Sequence, residues 1–294
     1  MIFYFQDVER LQMCFYSPNV CGAFLVVLVL VLCGIFLQLN LNRSNVIQIL
    51  SWLVFIFISI LFIGIAMTFS RGAYFACFIS LLFANFLLPS KKNIFLLLVF
   101  LLIISVSPKS MSRVITIKDT EDGSIRNRLH VWRGGCAIIA ENWCKGIGGI
   151  PVAGHYYTRK YCPKEIHESY QTLVSDILTI GASYGVIILS LYLMITGFAI
   201  QISSVMAVKE NFPFLLLLSC SLFSYLISGL FSTLYCFSEL SCFAALIFLL
   251  IVFFIFRGFS LNIINWKQIN WRIVPALTFT IIGAILLTGF YYIK

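Results

Sequence analysis

The stretch "CGAFLVVLVLVLCGIFLQL", residues 21–39, contains no charged side chain. A helix of this length matches the roughly 30 Å hydrocarbon layer of a bilayer, and apolar runs of about 18 residues or more read as membrane spans. Seven further apolar runs follow, at roughly 45–67, 73–89, 93–107, 172–201, 212–230, 235–256 and 272–292, the fourth being the shortest. The 294 residues are 61% hydrophobic and 11% charged, with a mean hydropathy of +1.01. Lipid offers no hydrogen bonds to backbone groups, so these runs are expected to be helices. The sequence therefore predicts an all-α integral membrane protein with about eight transmembrane helices. Met1–Val20 carries Asp7, Glu9 and Arg10 and lacks the apolar core of a signal peptide.

The net charge of +9 is assigned to membrane-proximal loops rather than to nucleic-acid binding. Lys91 and Lys92 lie in a tight turn between the third and fourth runs, which the positive-inside rule puts in the cytoplasm. Alternation then puts Arg43, Lys209, Arg257, Lys267 and Arg272 on the same side. The segment from Pro108 to Gln171 falls outside. Three parts are expected: a four-span bundle over 1–107, one large periplasmic loop over 108–171 carrying the chemistry, and a second four-span bundle over 172–294.

The loop holds ten Lys/Arg, six Asp/Glu, and all three histidines, His130, His155 and His167. Rigidly supported loops are where binding and catalytic groups concentrate. Cys136, Cys144 and Cys162 lie there as well, and on an oxidising face Cys144–Cys162 is the expected pair, free thiols being the alternative. The other seven cysteines lie in or beside the spans and read as small apolar residues. No Cys/His spacing has the form of a zinc site, so no structural metal is expected. No cofactor is expected either.

Within the loop, "SIRNRLHVWRGG", residues 124–135, concentrates three arginines in a chain otherwise poor in charge. Stepped at about 100° per residue, Arg126, His130, Arg133, Ala137 and Glu141 share one helix face. Leu129, Trp132, Cys136 and Ile139 share the opposite one, and Arg128 falls with them. Arg126 and Arg133 read as a solvated or headgroup-facing surface. Arg128 requires an anion or several carbonyls, because a buried unpaired guanidinium is costly. An ion pair with Asp176 or Glu168 and an anionic ligand both satisfy it.

Ser70-Arg71-Gly72 places another arginine at the outer end of the second and third runs. It either snorkels to headgroups or supplies a second cation; two arginines gripping phosphate oxygens suit a diphosphate. His167 and Glu168 stand just before the fifth run. A histidine there is either a solvated loop residue or a group that takes a proton from a hydroxyl nucleophile. Asp176, one to two turns into that run, is a functional candidate by position, or it orients Arg128. Tyr156, Tyr157, Tyr161 and Tyr170 could stack on sugar rings, or serve as ordinary interfacial aromatics.

The order Ser70-Arg71-Gly72, Arg128-x-x-x-Trp132, Gly146-x-Gly148, then His167 before a run holding Gly181 and Gly185, resembles the O-antigen ligase and polymerase superfamily. "FYSPNVCGAFL", residues 15–25, resembles that family's Pro-Asn turn before a span. The resemblance implies a C-type glycosyltransferase fold in a bacterial inner membrane, with its active loop in the periplasm. It implies a metal-independent transfer of a glycan from undecaprenyl diphosphate to a lipid A core sugar or another acceptor hydroxyl, as in lipopolysaccharide biosynthesis. Arg71 and Arg128 would bind the diphosphate and His167 would act as base, with Glu168 beside it. Arg126, Trp132 and Asp176 would support them. The implied partners are the lipid-linked glycan, the glycan acceptor and membrane lipids, with no nucleic acid.

The sequence departs from the family pattern at Trp143, where a proline often stands, at Glu168, in place of an asparagine, and in the wider Gly181-x-x-x-Gly185 spacing. Members usually have ten to twelve spans, so the chain is expected to lack the N-terminal ones. Three rival readings remain: a polysaccharide polymerase using the same donor, a non-enzymatic membrane transporter, and an inactive remnant. Ion-coupled transporters bury ionisable groups near mid-membrane. Here Asp176 and Glu239 lie toward the ends of their runs.

Overall fold

All eight apolar runs are helical in the computed structural model, which describes the chain except residues 1–3, 7–9, 14, 16, 40–44, 116–122, 164–169, 261–271 and 294. Six have the length and apolarity to cross a membrane: α1 (Pro18–Gln38), α2 (Asn45–Met67), α8 (Asp176–Lys209), α9 (Pro213–Phe231), α10 (Ser238–Ser260) and α11 (Ile273–Ile293). The other two, α3 (Arg71–Leu87) and α4 (Lys91–Val106), have 17 and 16 residues and fall just short by length. Side chains such as Trp52, Leu53, Phe57 and Ile60 on α2 are more than half exposed. A contiguous apolar surface of this kind suits lipid rather than water. The protein is an all-α, multi-pass membrane protein. Charged residues in the six long helices occur only in the first or last turn: Asp176, Lys209, Glu239 and Arg257.

The chain forms two compact units, each discontinuous in sequence: residues 1–117, 199–228 and 242–269 in the first, and 118–198, 229–241 and 270–294 in the second. In the first unit α1 is the central helix. Val26, Val27, Val29, Leu30 and Cys33 are fully buried, and α1 packs on α2 and α3 while α4 packs on both of those. Pro18 opens α1 behind Ser17, whose hydroxyl accepts from the Asn19 N–H at 3.2 Å. Proline suits a first helical position because its missing N–H has no helical partner there, and serine is a favoured cap. Ser70 and Ser90 cap α3 and α4 in the same way.

Ahead of α1 the sequence reading assigned no strand, yet Tyr4–Gln6 (β1) and Arg10–Met13 (β2) form an antiparallel hairpin. It packs against α1 and α2, with Leu11 and Gln12 buried. Strands this short lie below the length at which alternation is readable.

The second unit is built on α6 (Gly123–Glu141), with α11 packed along it. Helix α7 (Ile150–Lys160) lies against α6 at a glycine: any side chain at Gly134 would enter the ring of the fully buried Tyr157. Tyr157 in turn meets Tyr170 edge-on at 5.5 Å. Gly154 lets the Tyr170–Gln171 backbone lie directly on α7.

Helix α8 is broken. Gly185 has φ 82° and ψ 172°, a conformation that interrupts the helical ladder and that L side chains rarely adopt. The turn after α6 fills the break with its own backbone. Ile147 and Gly148 N–H donate to the Ala182 and Ser183 carbonyls at 2.9 and 3.1 Å, and Val186 N–H donates to Trp143 O at 2.7 Å. Two glycines make the approach possible, because a Cβ at Gly146 would strike Ser183 O and one at Gly185 would strike Cys144 O. Gly185→Ala is therefore expected to destabilise the second unit by about 2 kcal/mol or more, combining strain of roughly 1–3 kcal/mol with a backbone clash. Gly283 on α11 faces open space, and Gly283→Ala should leave stability unchanged or raise it slightly, because alanine loses less backbone freedom in a helix than glycine. Thermal unfolding of the two variants in detergent checks this; equal midpoints would mean that α8 tolerates the change.

Candidate functional site

The candidate residues divide between the two units, and each unit is described by itself. In the first, Arg71 is the opening residue of α3, immediately behind the Ser70 cap, and is partly buried. The turn before it is short: α2 ends at Met67, and Phe69 adopts φ 49°. The carbonyls at the end of α2 would lack partners in an isolated helix. Here side chains supply donors. Tyr74 Oη and Ser110 Oγ, the latter on α5 (Pro108–Ile115), donate to Ala66 O at 2.6 and 3.1 Å, and Thr68 Oγ1 donates to Ile65 O at 2.7 Å. Arg10 Nε donates to Thr68 O at 3.1 Å.

In the second unit the facing assigned to α6 holds for its arginines but not throughout. Arg126 and Arg133 are exposed, and Arg128 is partly buried. Leu129, assigned to the apolar face, is 39% exposed, while Ala137, assigned to the charged face, is fully buried. From Gly134 to Ala140 the helix is enclosed all round, so a stripe argument has no purchase there.

Trp132 and Asp176 come to the same short stretch, 229–235. The Trp132 ring stands 6.1 Å from that of Phe231. Asp176 is 2% exposed, and its Oδ1 accepts from the Leu234 and Tyr235 N–H groups at 2.6 and 3.2 Å. Its Oδ2 packs against Gly229, where a Cβ would lie at 2.6 Å. The carboxylate thus fastens the start of α8 to the turn after α9. Orienting Arg128 is not needed to explain it.

His167 and Glu168 lie outside the described residues. The segment that holds them is flanked by Pro163 and by Tyr170, whose N–H donates to Thr158 Oγ1 at 3.1 Å. Of the four tyrosines considered for sugar stacking, Tyr157 is fully buried in the core and is excluded from that role. Lys160 bonds both Glu141 oxygens at 2.7 Å and lies over the rings of Tyr156 and Tyr161. Partial burial raises the Glu141 carboxyl, but hydrogen bonds from Lys160 and Tyr161 outweigh it and hold the group below its ordinary value. Tyr161 is pushed up to about 12 by burial and by the adjacent Glu141. The cluster ties α7 to α6.

The expected Cys144–Cys162 bridge is not formed: Cys144 is a free, exposed thiol. Its carbonyl is turned to the Gly185 break, whereas Cys162 is held at the end of α7 by its N–H to Tyr157 O. Burial pushes the Cys136 thiol up to about 11, too high for a thiolate at neutral pH. Among the described residues no three His, Cys, Asp or Glu side chains gather in one place.

The fold and these residues define a multi-pass, predominantly helical membrane protein with cationic side chains at the end of one helix and along another. Residues 54–193 match the O-antigen ligase family model, and over that segment the resemblance to the O-antigen ligase and polymerase superfamily is borne out. No curated protein and no solved structure matches the chain.

Proposed function

We propose that the protein transfers a glycan from undecaprenyl diphosphate to an acceptor hydroxyl at the periplasmic face of a bacterial inner membrane, the acceptor being a lipid A core sugar or another glycan. The supporting observation is that the family-like segment, 54–193, contains every candidate residue: Arg71, Arg126, Arg128, Trp132, His167, Glu168 and Asp176. Arg71 opens a capped helix, and helix N-termini favour anions. Arg71 and Arg128 stabilise charge growing on the bridging oxygen as the bond from sugar C1 to phosphate breaks. His167, with Glu168, accepts the proton of the acceptor hydroxyl as its oxygen bonds to C1. Polyprenyl diphosphate leaves, and no metal or cofactor takes part in this scheme. Eight spans and an extracytoplasmic 108–171 segment belong to the same reading.

Mass spectrometry of lipid-linked and surface glycans, in cells with and without the gene, tests it. Loss of a ligase leaves finished, long glycans on the polyprenyl carrier; loss of a polymerase leaves single repeat units there. Unchanged lipid-linked glycans would refute both. The confinement of charge to helix ends in the long helices disfavours an ion-coupled transporter.

A further inference from the structure

Arg10 sits on β2, far in sequence from every residue named in the proposed reaction, yet its guanidinium joins two parts of the site region. Nε donates to Thr68 O at 3.1 Å, and Nη2 donates to Asn19 Oδ1 at 3.4 Å. Thr68 is fully buried in the turn that leads to Arg71. Asn19 lies in the first turn of α1, directly after Pro18. The turn is closely confined from below. A Cβ at Gly22 of α1 would lie 2.8 Å from Ala73 Cβ and 3.0 Å from Thr68 Oγ1. Thr68 Oγ1 also accepts from Ser70 N–H at 3.3 Å. With Phe69 in the left-handed region, the turn is not a relaxed one, and such conformations persist where surroundings over-determine them. Tyr74 and Ser110 fix Ala66 O from one side, and Arg10 fixes Thr68 O from the hairpin side.

We infer that Arg10 is a positioning residue for polyprenyl-diphosphate binding: by bridging Thr68 O and Asn19 Oδ1 it sets the Thr68–Ser70 turn, and hence the start of α3 from which Arg71 reaches the diphosphate. This rests on the proposed role of Arg71. Two guanidinium nitrogens at fixed spacing make the bridge, so the planar fork is required and not merely the charge. Lysine, with one nitrogen on a flexible stem, cannot reproduce it.

The test measures equilibrium binding of undecaprenyl diphosphate to the full chain in lipid nanodiscs, together with the amount of folded protein and its thermal midpoint. Arg10→Ala and Arg10→Lys should each weaken binding about tenfold per folded molecule. Asn19→Ala, which leaves the Thr68 bond in place, should weaken it about threefold. Arg71→Ala should abolish tight binding, and adding Arg10→Ala to it should cost nothing more, because a residue acting through another contributes only while that other is present. If Arg10→Ala fails to fold, the lysine and Asn19 variants carry the same comparison. A purely structural role would lower yield and midpoint while leaving binding by the folded fraction unchanged, which overturns the inference. Additive losses in the double variant overturn it too. If Arg71→Ala itself binds normally, the diphosphate role of Arg71 fails and the inference fails with it. Weakening by Arg71→Ala alone, with Arg10 variants normal, removes only the inference.

Discussion

His167→Ala is expected to insert into the membrane normally, to accumulate the undecaprenyl-linked donor, and to lose glycan transfer by about two to four orders of magnitude, the usual contribution of a positioned acid or base. A sugar linked through C1 to a diphosphate already carries a good leaving group. The slow demand is then for deprotonation of the acceptor hydroxyl as its oxygen attacks. Histidine titrates near neutral pH and can accept that proton and release it in each cycle. Transfer assays on purified variants, with lipid-linked glycan measured in parallel in cells, give the readout. Transfer surviving within a few-fold would move the role to Glu168, and the sharper expectation would then fall on Glu168→Gln.

Arg128→Lys is expected to cut transfer about a hundredfold, whereas Arg126→Lys and Arg133→Lys should stay within about twofold. The three arginines lie within eight positions of one another, but their surroundings differ: Arg126 and Arg133 are exposed and Arg128 is partly buried on α6. A solvated cation needs only to remain a cation. One that grips two phosphate oxygens needs the planar fork, and charge-assisted hydrogen bonds contribute roughly 1.5–3 kcal/mol each, equivalent to about one to two orders of magnitude in binding. Comparing the three variants for binding of a polyprenyl diphosphate analogue decides the matter. Equal tolerance at all three would make the cluster a headgroup-facing surface.

The helices were legible in the sequence because their cause is local: a long apolar run in lipid has no alternative to intrahelical hydrogen bonding. The exposure of Arg126 and Arg133 followed from periodicity for the same reason. What was not legible depends on residues distant in the chain. Asp176 reads in the sequence as a functional candidate by position or as a group orienting Arg128; its Oδ1 accepts from backbone N–H groups 58 and 59 residues further on, a tie that no spacing rule reports. Ala137 is misassigned because α6 is enclosed all round after Gly134, so burial there no longer follows a single stripe, while Leu129, earlier in the helix, is 39% exposed although it falls on the apolar face. The hairpin before α1 is short, and its anchoring residue, Arg10, entered the sequence reading only as a charge unsuited to a signal peptide. Cys144 and Cys162 share a loop, but sequence proximity says nothing about whether two Cβ vectors can meet.

The interruption of α8 also bears on how freely this protein can vary in length. Surface connections ordinarily accept insertions and deletions because their backbone is satisfied by water. The connection after α6 differs, since Trp143, Ile147 and Gly148 lend their peptide groups to a gap in another helix at three fixed positions. One residue added or removed between Trp143 and Gly148 would shift at least one of those groups by about 3.8 Å and leave both sides of the gap short of partners. Descendants of this chain should therefore change the residues of that connection far more readily than they change their number.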